Sequence, residues 1–399
     1  MSDGEQTPTP HLVTVSGQDG PGVSERLFAG LRDLGVAVHD VEQVRVHGHL
    51  LLCVEVVLRP AELVDLDRAL RQRLGGVGVD LSIQPLAETE AEADHERVLV
   101  TVLAPSVDAA TLEAISGQVA RTGGNIERIV RLAAYPVQSY ELVVAGADRQ
   151  LLRRSLAAEA AEHQVDIAVQ AAGLHRRAKH LIVMDADSTL LQGEVIDLLA
   201  ERCGCAERVS AVTQAAMEGE LDFEQALRAR VRLLAGLGQA DLDAVARSIV
   251  LTPGARTLVR TLKRLGYELA VVSGGFTQVI EGLVTELGID YLAANVLALR
   301  DGVLTGELDG PVVDRAGKAA ALVRFAEESG VPLARTIAVG DGANDIDMLA
   351  TAGLGIAFNA KPVVRQAADT ALSVPYLDAI LFLLGISRAD VERADRLDD

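Results

Sequence analysis

The sequence has no tryptophan, and Phe, Trp and Tyr together supply only 3% of its 399 residues. Cores without large rings must be packed from Leu, Val, Ile and Ala, which suits buried parallel sheets covered by helices. Cysteine is scarce too: three residues, an odd number in a long chain, make no disulfide framework. Cys203 and Cys205 stand one Gly apart, unlike the usual zinc-ligand spacing, and no matching Cys or His pair follows, so both read as structural. No apolar run reaches the roughly 18 residues of a membrane helix. The polar N-terminus also lacks a signal-peptide core, so a cytoplasmic location with no membrane partner is expected. Positive charge is outnumbered, 37 basic residues against 57 acidic for a net charge of -20, which repels polyanions and argues against nucleic acid as a partner. Most of that acid is solvated surface, but carboxylates gathered in one cleft could hold a hard divalent cation and so admit an anionic substrate.

What is present, 49% apolar and 24% charged residues, describes a folded protein, and the length calls for two or three domains. Residues 1–10 read as a flexible tail. From His11 the pattern is strand, helix, strand, strand, helix, strand. The first helix carries Val23, Leu27, Leu31 and Leu34 at helical spacing and closes at Gly35. The hairpin candidate is His47-Gly48-His49. The same order recurs from Val98 to Ala171, after an acidic connector at Glu88–Glu96. These are two ferredoxin-like βαββαβ modules, over 11–87 and 96–173, and they fit either ligand sensing or a structural, dimerising appendage.

After Arg176, Arg177 and Lys179 the rhythm changes to buried strands alternating with helices, an α/β pattern that implies a doubly wound parallel, Rossmann-like sheet over 179–399. Thr252-Pro253 reads as the N-cap and first-turn Pro of a helix carrying Leu258, Leu262 and Leu265 and closed by Gly266. Residues 192–251, helical in period, read as a small cap.

In such sheets ligands sit at the carboxyl ends of the strands. Three polar clusters fall there: Asp185-Ala186-Asp187-Ser188-Thr189, Ser273-Gly274-Gly275, and Gly340-Asp341-Gly342-Ala343-Asn344-Asp345. Any one carboxylate after a strand fits a helix cap equally well; three clusters together point to chemistry. Two carboxylates two residues apart can divide phosphoryl transfer, one attacking phosphorus while the other protonates the leaving oxygen and then activates water. Asp341 and Asp345 can complete a metal site, Ser273 and the N–H groups at Gly274 and Gly275 can hold phosphate oxygens, and Lys318 supplies fixed positive charge.

These motifs, in order, resemble the haloacid-dehalogenase-type phosphatases. The resemblance implies that Asp185 is the nucleophile, forming an aspartyl-phosphate, and Asp187 the general acid and base. It implies Mg2+ bound by Asp185, Asp341 and the main-chain carbonyl of Asp187, with Asp345 supporting the ion, and Ser273 and Lys318 gripping the phosphoryl group. Met217–Val231 and Glu194 resemble the cap of phosphoserine phosphatases. By that likeness Glu194 and Arg230 meet the amino and carboxylate groups of phosphoserine, Met217 and Phe223 shape the pocket, and Gly274 and Asn344 join the substrate-binding set.

The turn Gly17-Gln18-Asp19-Gly20-Pro21-Gly22 resembles that of ACT domains. This implies an amino-acid effector such as serine near Gly17 and Asp19, at an interface of a homodimer or higher homo-oligomer. The second repeat has Ala104-Pro105-Ser106-Val107-Asp108 there and lacks the pattern. The expected activity is hydrolysis of O-phospho-L-serine to serine and phosphate, ending serine synthesis. The alternatives are another small phosphomonoester or a phosphoprotein as substrate, or a non-catalytic amino-acid sensor.

Overall fold

The structure, a computed structural model, describes residues 7–86, 97–173 and 180–398, without the side chains of Met217 and Asp398. Most of the expected tail, the acidic connector and the basic junction at Arg176, Arg177 and Lys179 lie outside the described residues. The chain divides into two compact units, with the boundary between His95 and Glu96.

The first unit runs β1 (Thr9–Gln18), α1 (Val23–Asp33), β2 (Val38–Val46), β3 (His49–Leu58), α2 (Leu63–Leu74) and β4 (Val79–Pro85). Its antiparallel sheet has the order β2-β3-β1-β4, the expected ferredoxin-like topology. Thr9 and Pro10 belong to β1 and not to a tail, because they pair with Leu58 and Val57. The hairpin falls where expected: His47 and Gly48 take φ of 48° and 82°, two successive left-handed residues whose twist matches that of paired strands. Leu34 is 43% exposed, since α1 ends at Asp33 and the stripe ends with it.

The second unit opens with β5 (Val98–Ala104), α3 (Ala109–Arg121), β6 (Asn125–Ala133), β7 (Gln138–Ala145), α4 (Arg149–Glu162) and β8 (Asp166–Ala171), in the order β6-β7-β5-β8. The two repeats differ in burial. β1 alternates between buried and partly exposed positions, whereas β5 is buried at every one. The reason is that the sheet's second face is covered: Leu103, Leu132 and Val137 share a hydrophobic cluster with Leu381 and Leu383 near the C-terminus. Gln170 Nε2 donates to the Leu383 carbonyl at 3.0 Å.

Beyond it, β9 (Leu181–Asp185) leads into the cap helices α5 (Val195–Cys203), α6 (Ala206–Met217), α7 (Phe223–Leu233) and α8 (Gln239–Ser248). The sheet continues with α9 (Ala255–Arg264), β10 (Glu268–Phe276), α10 (Thr277–Leu287), β11 (Tyr291–Arg300), β12 (Val303–Asp309), α11 (Arg315–Glu328), β13 (Thr336–Gly340), α12 (Ile346–Thr351), β14 (Gly355–Phe358), α13 (Pro362–Ala367) and β15 (Thr370–Leu372). The order is β12-β11-β10-β9-β13-β14-β15. Alternate residues of β9 enter different layers: Ile182 and Met184 join the cluster under the cap, Leu181 and Val183 the one under α11. This two-sided burial is why the strand reads as an unbroken apolar run.

The sheet departs from all-parallel at one edge, where β12 runs antiparallel to β11. Asp301 and Gly302, with φ of 53° and 76°, form the connecting turn, and β12 then pairs with the cap base through Leu304 N–H to the Leu237 carbonyl at 2.8 Å. At α9 the N-cap is Gly254, not Thr252, because Thr252 and Pro253 form the preceding turn, with the Thr252 carbonyl accepting from Ala255 N–H. Leu265 is 52% exposed, since α9 ends at Arg264. Cys203 and Cys205 are joined by a disulfide across Gly204; it spans two residues, closes no sizeable loop and makes no framework.

Candidate active site

The carboxyl ends of β9, β10 and β13 meet at a cavity of 270 Å³ that α7 and the start of α5 cover from the cap side. Asp185 ends β9 at 4% exposure. After it the chain makes a single wide turn over Ala186–Leu190, closed by Leu191 N–H to the Ala186 carbonyl at 2.9 Å, with Ser188 at φ 56°. That turn separates the two acids. Asp185 faces Lys318, whereas Asp187 accepts from Val195 N–H at 2.8 Å and from the Ser273 hydroxyl at 3.3 Å.

Lys318 is fully buried one turn into α11, which starts at Arg315 with Asp314 as its N-cap. Its ammonium lies 2.8 Å from Asp185 Oδ1 and 2.7 Å from Asp345 Oδ1. The other oxygen of Asp345 accepts from the N–H groups of Asp341 and Gly342, at 3.1 and 2.9 Å. Asp345 is thereby committed to holding the loop and the lysine. Gly340 makes this possible: a Cβ there would lie 2.4 Å from Asp345 Cγ. Asp341 instead faces the cavity, held by the Thr189 hydroxyl at 3.0 Å.

Carboxylate oxygens of Asp185, Asp341 and Asp345 lie within 4.8 Å of one another. Burial above all, then neighbouring negative charge, raises the carboxyls here. Asp185 is held well above the usual range despite Lys318, Asp187 is pushed up to about 7 by burial and then Glu194, and Asp341 to about 6 by burial and then Asp345. Burial disfavours charge on Lys318, but Asp185 and Asp345 outweigh it and raise the ammonium. One ammonium does not balance this many acids. An all-oxygen donor set under such mutual repulsion fits a hard divalent cation.

On the cap side the cavity is lined by Glu194, Phe223 and Arg230, and on the sheet side by Gly274 and Asn344. Burial raises the Glu194 carboxyl and lowers the Arg230 guanidinium. Arg230 Nε is buried without a hydrogen-bond partner among the described residues, so part of its fork remains available. Arg228, by contrast, pairs with Glu224 on the exposed face. Ser273 lies behind the wall, fully buried, accepting from Gly275 N–H at 2.8 Å. The Met217 side chain lies outside the described residues. Gly17 and Asp19 belong to the first unit, where Asp19 pairs with Arg45 at 2.6 Å. Gly17 sits where a Cβ would meet the Gly78 carbonyl at 2.5 Å.

Sequence reasoning missed Thr189, Asn295, Lys361 and Val363. Asn295 ties the Gly274 carbonyl to Val313 N–H, both at 2.8 Å, while Lys361 and Val363 line the cavity from the start of α13. Thr189 stood in the quoted motif; Asn295 lies midway along β11, and Lys361 and Val363 stand at the start of α13, none of the three with a local signature.

Fold and site together define a haloacid dehalogenase-like hydrolase with ACT domains. The family model of that description matches residues 182–350, and ACT domain models match 9–84 and 96–170. The chain belongs to the phosphoserine phosphatase family. It is 52% identical over 389 residues to the phosphoserine phosphatase of Streptomyces coelicolor, covering 97% of this chain and 95% of that one. It is 48% identical over 390 residues to that of Mycobacterium tuberculosis, covering 96% and 95%. Among solved structures, a haloacid dehalogenase family hydrolase from Salmonella enterica serovar Typhi aligns at TM-score 0.64 and 30% identity, over 72% of this chain and 98% of that one.

Proposed function

We propose that the protein hydrolyses O-phospho-L-serine to L-serine and phosphate, and that the carboxylate of Asp185 attacks phosphorus. The serine oxygen leaves with the proton of Asp187, and an aspartyl-phosphate remains on Asp185. Asp187, now a carboxylate, takes a proton from the water that attacks phosphorus, releasing phosphate and restoring Asp185. Lys318 steadies the charge on Asp185, while Gly274, Asn344 and the strand end at Ser273 frame the phosphoryl group. Bound Mg2+, held by Asp185, Asp341 and the main-chain carbonyl of Asp187, would offset the repulsion between phosphate and carboxylates. Arg230 pairs with the substrate carboxylate, Glu194 with its ammonium, and Met217 and Phe223 shape the space between.

The observation that carries this reading is the placement in one cavity of a lysine-paired carboxylate and a second carboxyl that burial raises to about 7, where it can both give and take a proton near neutral pH. Arg230→Ala should raise KM for phosphoserine far more than KM for a phosphate ester without a carboxylate; equal losses on both would defeat the assignment. Phosphate release from a panel of phosphomonoesters separates the serine-specific reading from broader substrates, and no release from any would leave a sensor without catalysis.

Serine binds near Gly17 and Asp19 across a homodimer and lowers activity, by favouring one assembly state over another. A chain lacking residues 1–95 and shown to be folded should lose serine inhibition. On this reading the protein acts at the last step of serine synthesis, in the cytoplasm; among the described residues no helix is long and apolar enough to cross a membrane.

A further inference from the structure

A groove of 1080 Å³ lies between the second repeat and the far edge of the phosphatase sheet, walled by α4 and β8 on one side and by α13 and β15 on the other. Its floor is apolar, with Leu156, Val165 and Val374. Its walls carry Arg153, Arg154 and Arg365 against Asp166 and Asp369, three positive charges to two negative in a chain whose net charge is -20.

These arginines are not equally committed. Arg153 donates to the Ala368 carbonyl at 2.7 Å and lies 3.5 Å from Asp369. Arg365 stands 3.8 Å from Asp166, beyond hydrogen-bond range, and that carboxylate already accepts from Ser373 N–H at 2.6 Å. Arg154 is exposed and makes no side-chain hydrogen bond or ion pair among the described residues. Arg154 is thus open to an anion above an apolar floor, and Arg365, held only by a long ion pair to Asp166, keeps its hydrogen-bonding capacity.

The same groove adjoins the catalytic cavity. Over the six residues of α13, Pro362, Arg365 and Gln366 line the groove while Val363 and Val364 line the cavity. A ligand that shifts α13 from its Arg365 side would therefore shift a wall of the active site.

We propose that this groove is an effector site for a small organic anion with an apolar body, distinct from the turn at Gly17 and Asp19, and that α13 carries its effect to turnover. The guanidinium forks of Arg154 and Arg365 take the anionic group and the floor takes the body. Coupling follows if the anion prefers one position of α13. Only the turnover arm of the test rests on the phosphatase reading.

The chain has no Trp, so Gln150→Trp places its sole indole at the groove's rim. In the full chain, 4-iodobenzoate should quench that indole saturably and the neutral 4-iodobenzamide should not. Adding Arg154→Glu should weaken the quenching about tenfold or more, and Arg154→Lys should largely restore it. Saturating 4-iodobenzoate should change kcat or KM of the parent enzyme at least about twofold, and leave Arg154→Glu, with its normal basal turnover, unmoved. Linear quenching, equal for acid and amide, overturns the site. Saturable quenching with unchanged turnover overturns the coupling through α13. A parent inactive on every phosphomonoester would sink the phosphatase reading and leave the quenching result standing.

Discussion

At the residue scale the site turns on Lys318. Its ammonium is the only one within reach of Asp185 and Asp345 among the described residues, and all three side chains are buried. Lys318→Met should cost about 3–5 kcal/mol in urea denaturation of the metal-free protein, because it strands two buried carboxylates. Asp185→Asn should keep the fold, since Asp345 still pairs with the lysine, and should lower kcat by about three orders of magnitude or more in a phosphate-release assay. Chelation should abolish turnover and Mg2+ restore it; full activity in chelator would remove the cation from the account. Asp185, Asp187 and Asp341 were legible because motif spacing and strand ends coincide, and Lys318, one turn into a helix, through the order of the motifs. Asn295 was not, because its task is to tie two loops distant in sequence.

At the element scale, short-range signals were read well where one residue dominates, as at His47-Gly48, and missed where the same signal lay unremarked. Asp301-Gly302 is such a turn, and with it went the antiparallel strand β12. β14 and β15, four and three residues long, carry too little pattern to stand out. Gly254 shows what sequence alone hides. It enters α9 at φ 83°, and a Cβ there would lie 2.1 Å from Asp378 Oδ1 and 2.8 Å from the Asp378 backbone nitrogen. Gly254→Ala should therefore destabilise by about 2 kcal/mol or more, read as a lower urea midpoint with unchanged slope.

At the scale of the whole molecule the two repeats, alike in order, differ in what they touch. Periodicity revealed both, but not that the second is sealed onto the phosphatase, since contacts between distant segments leave no mark on local spacing. Removing residues 1–95 should leave a cooperative unit with basal turnover, because the core of the first repeat consists of its own residues. Starting the chain at residue 180 should instead lower thermal stability and expose apolar surface, seen as a lower Tm with increased dye binding.

Asp166 lies in that seam, and burial above all raises its carboxyl. A raised folded value means that the protonated acid favours folding. Its contribution to stability is fully present below about pH 4, the usual carboxylate value, and is lost as pH climbs through the folded value. Asp166→Asn should flatten that limb in denaturation series across acidic pH.

The sealed face of the second repeat also governs how this architecture can be rebuilt. A foreign sensing module could replace the first repeat as a cartridge, cut at the connector before residue 97. Exchanging the second would demand recarving the catalytic body that grips it, so novelty in control is easier to install at the front of the chain than in its middle.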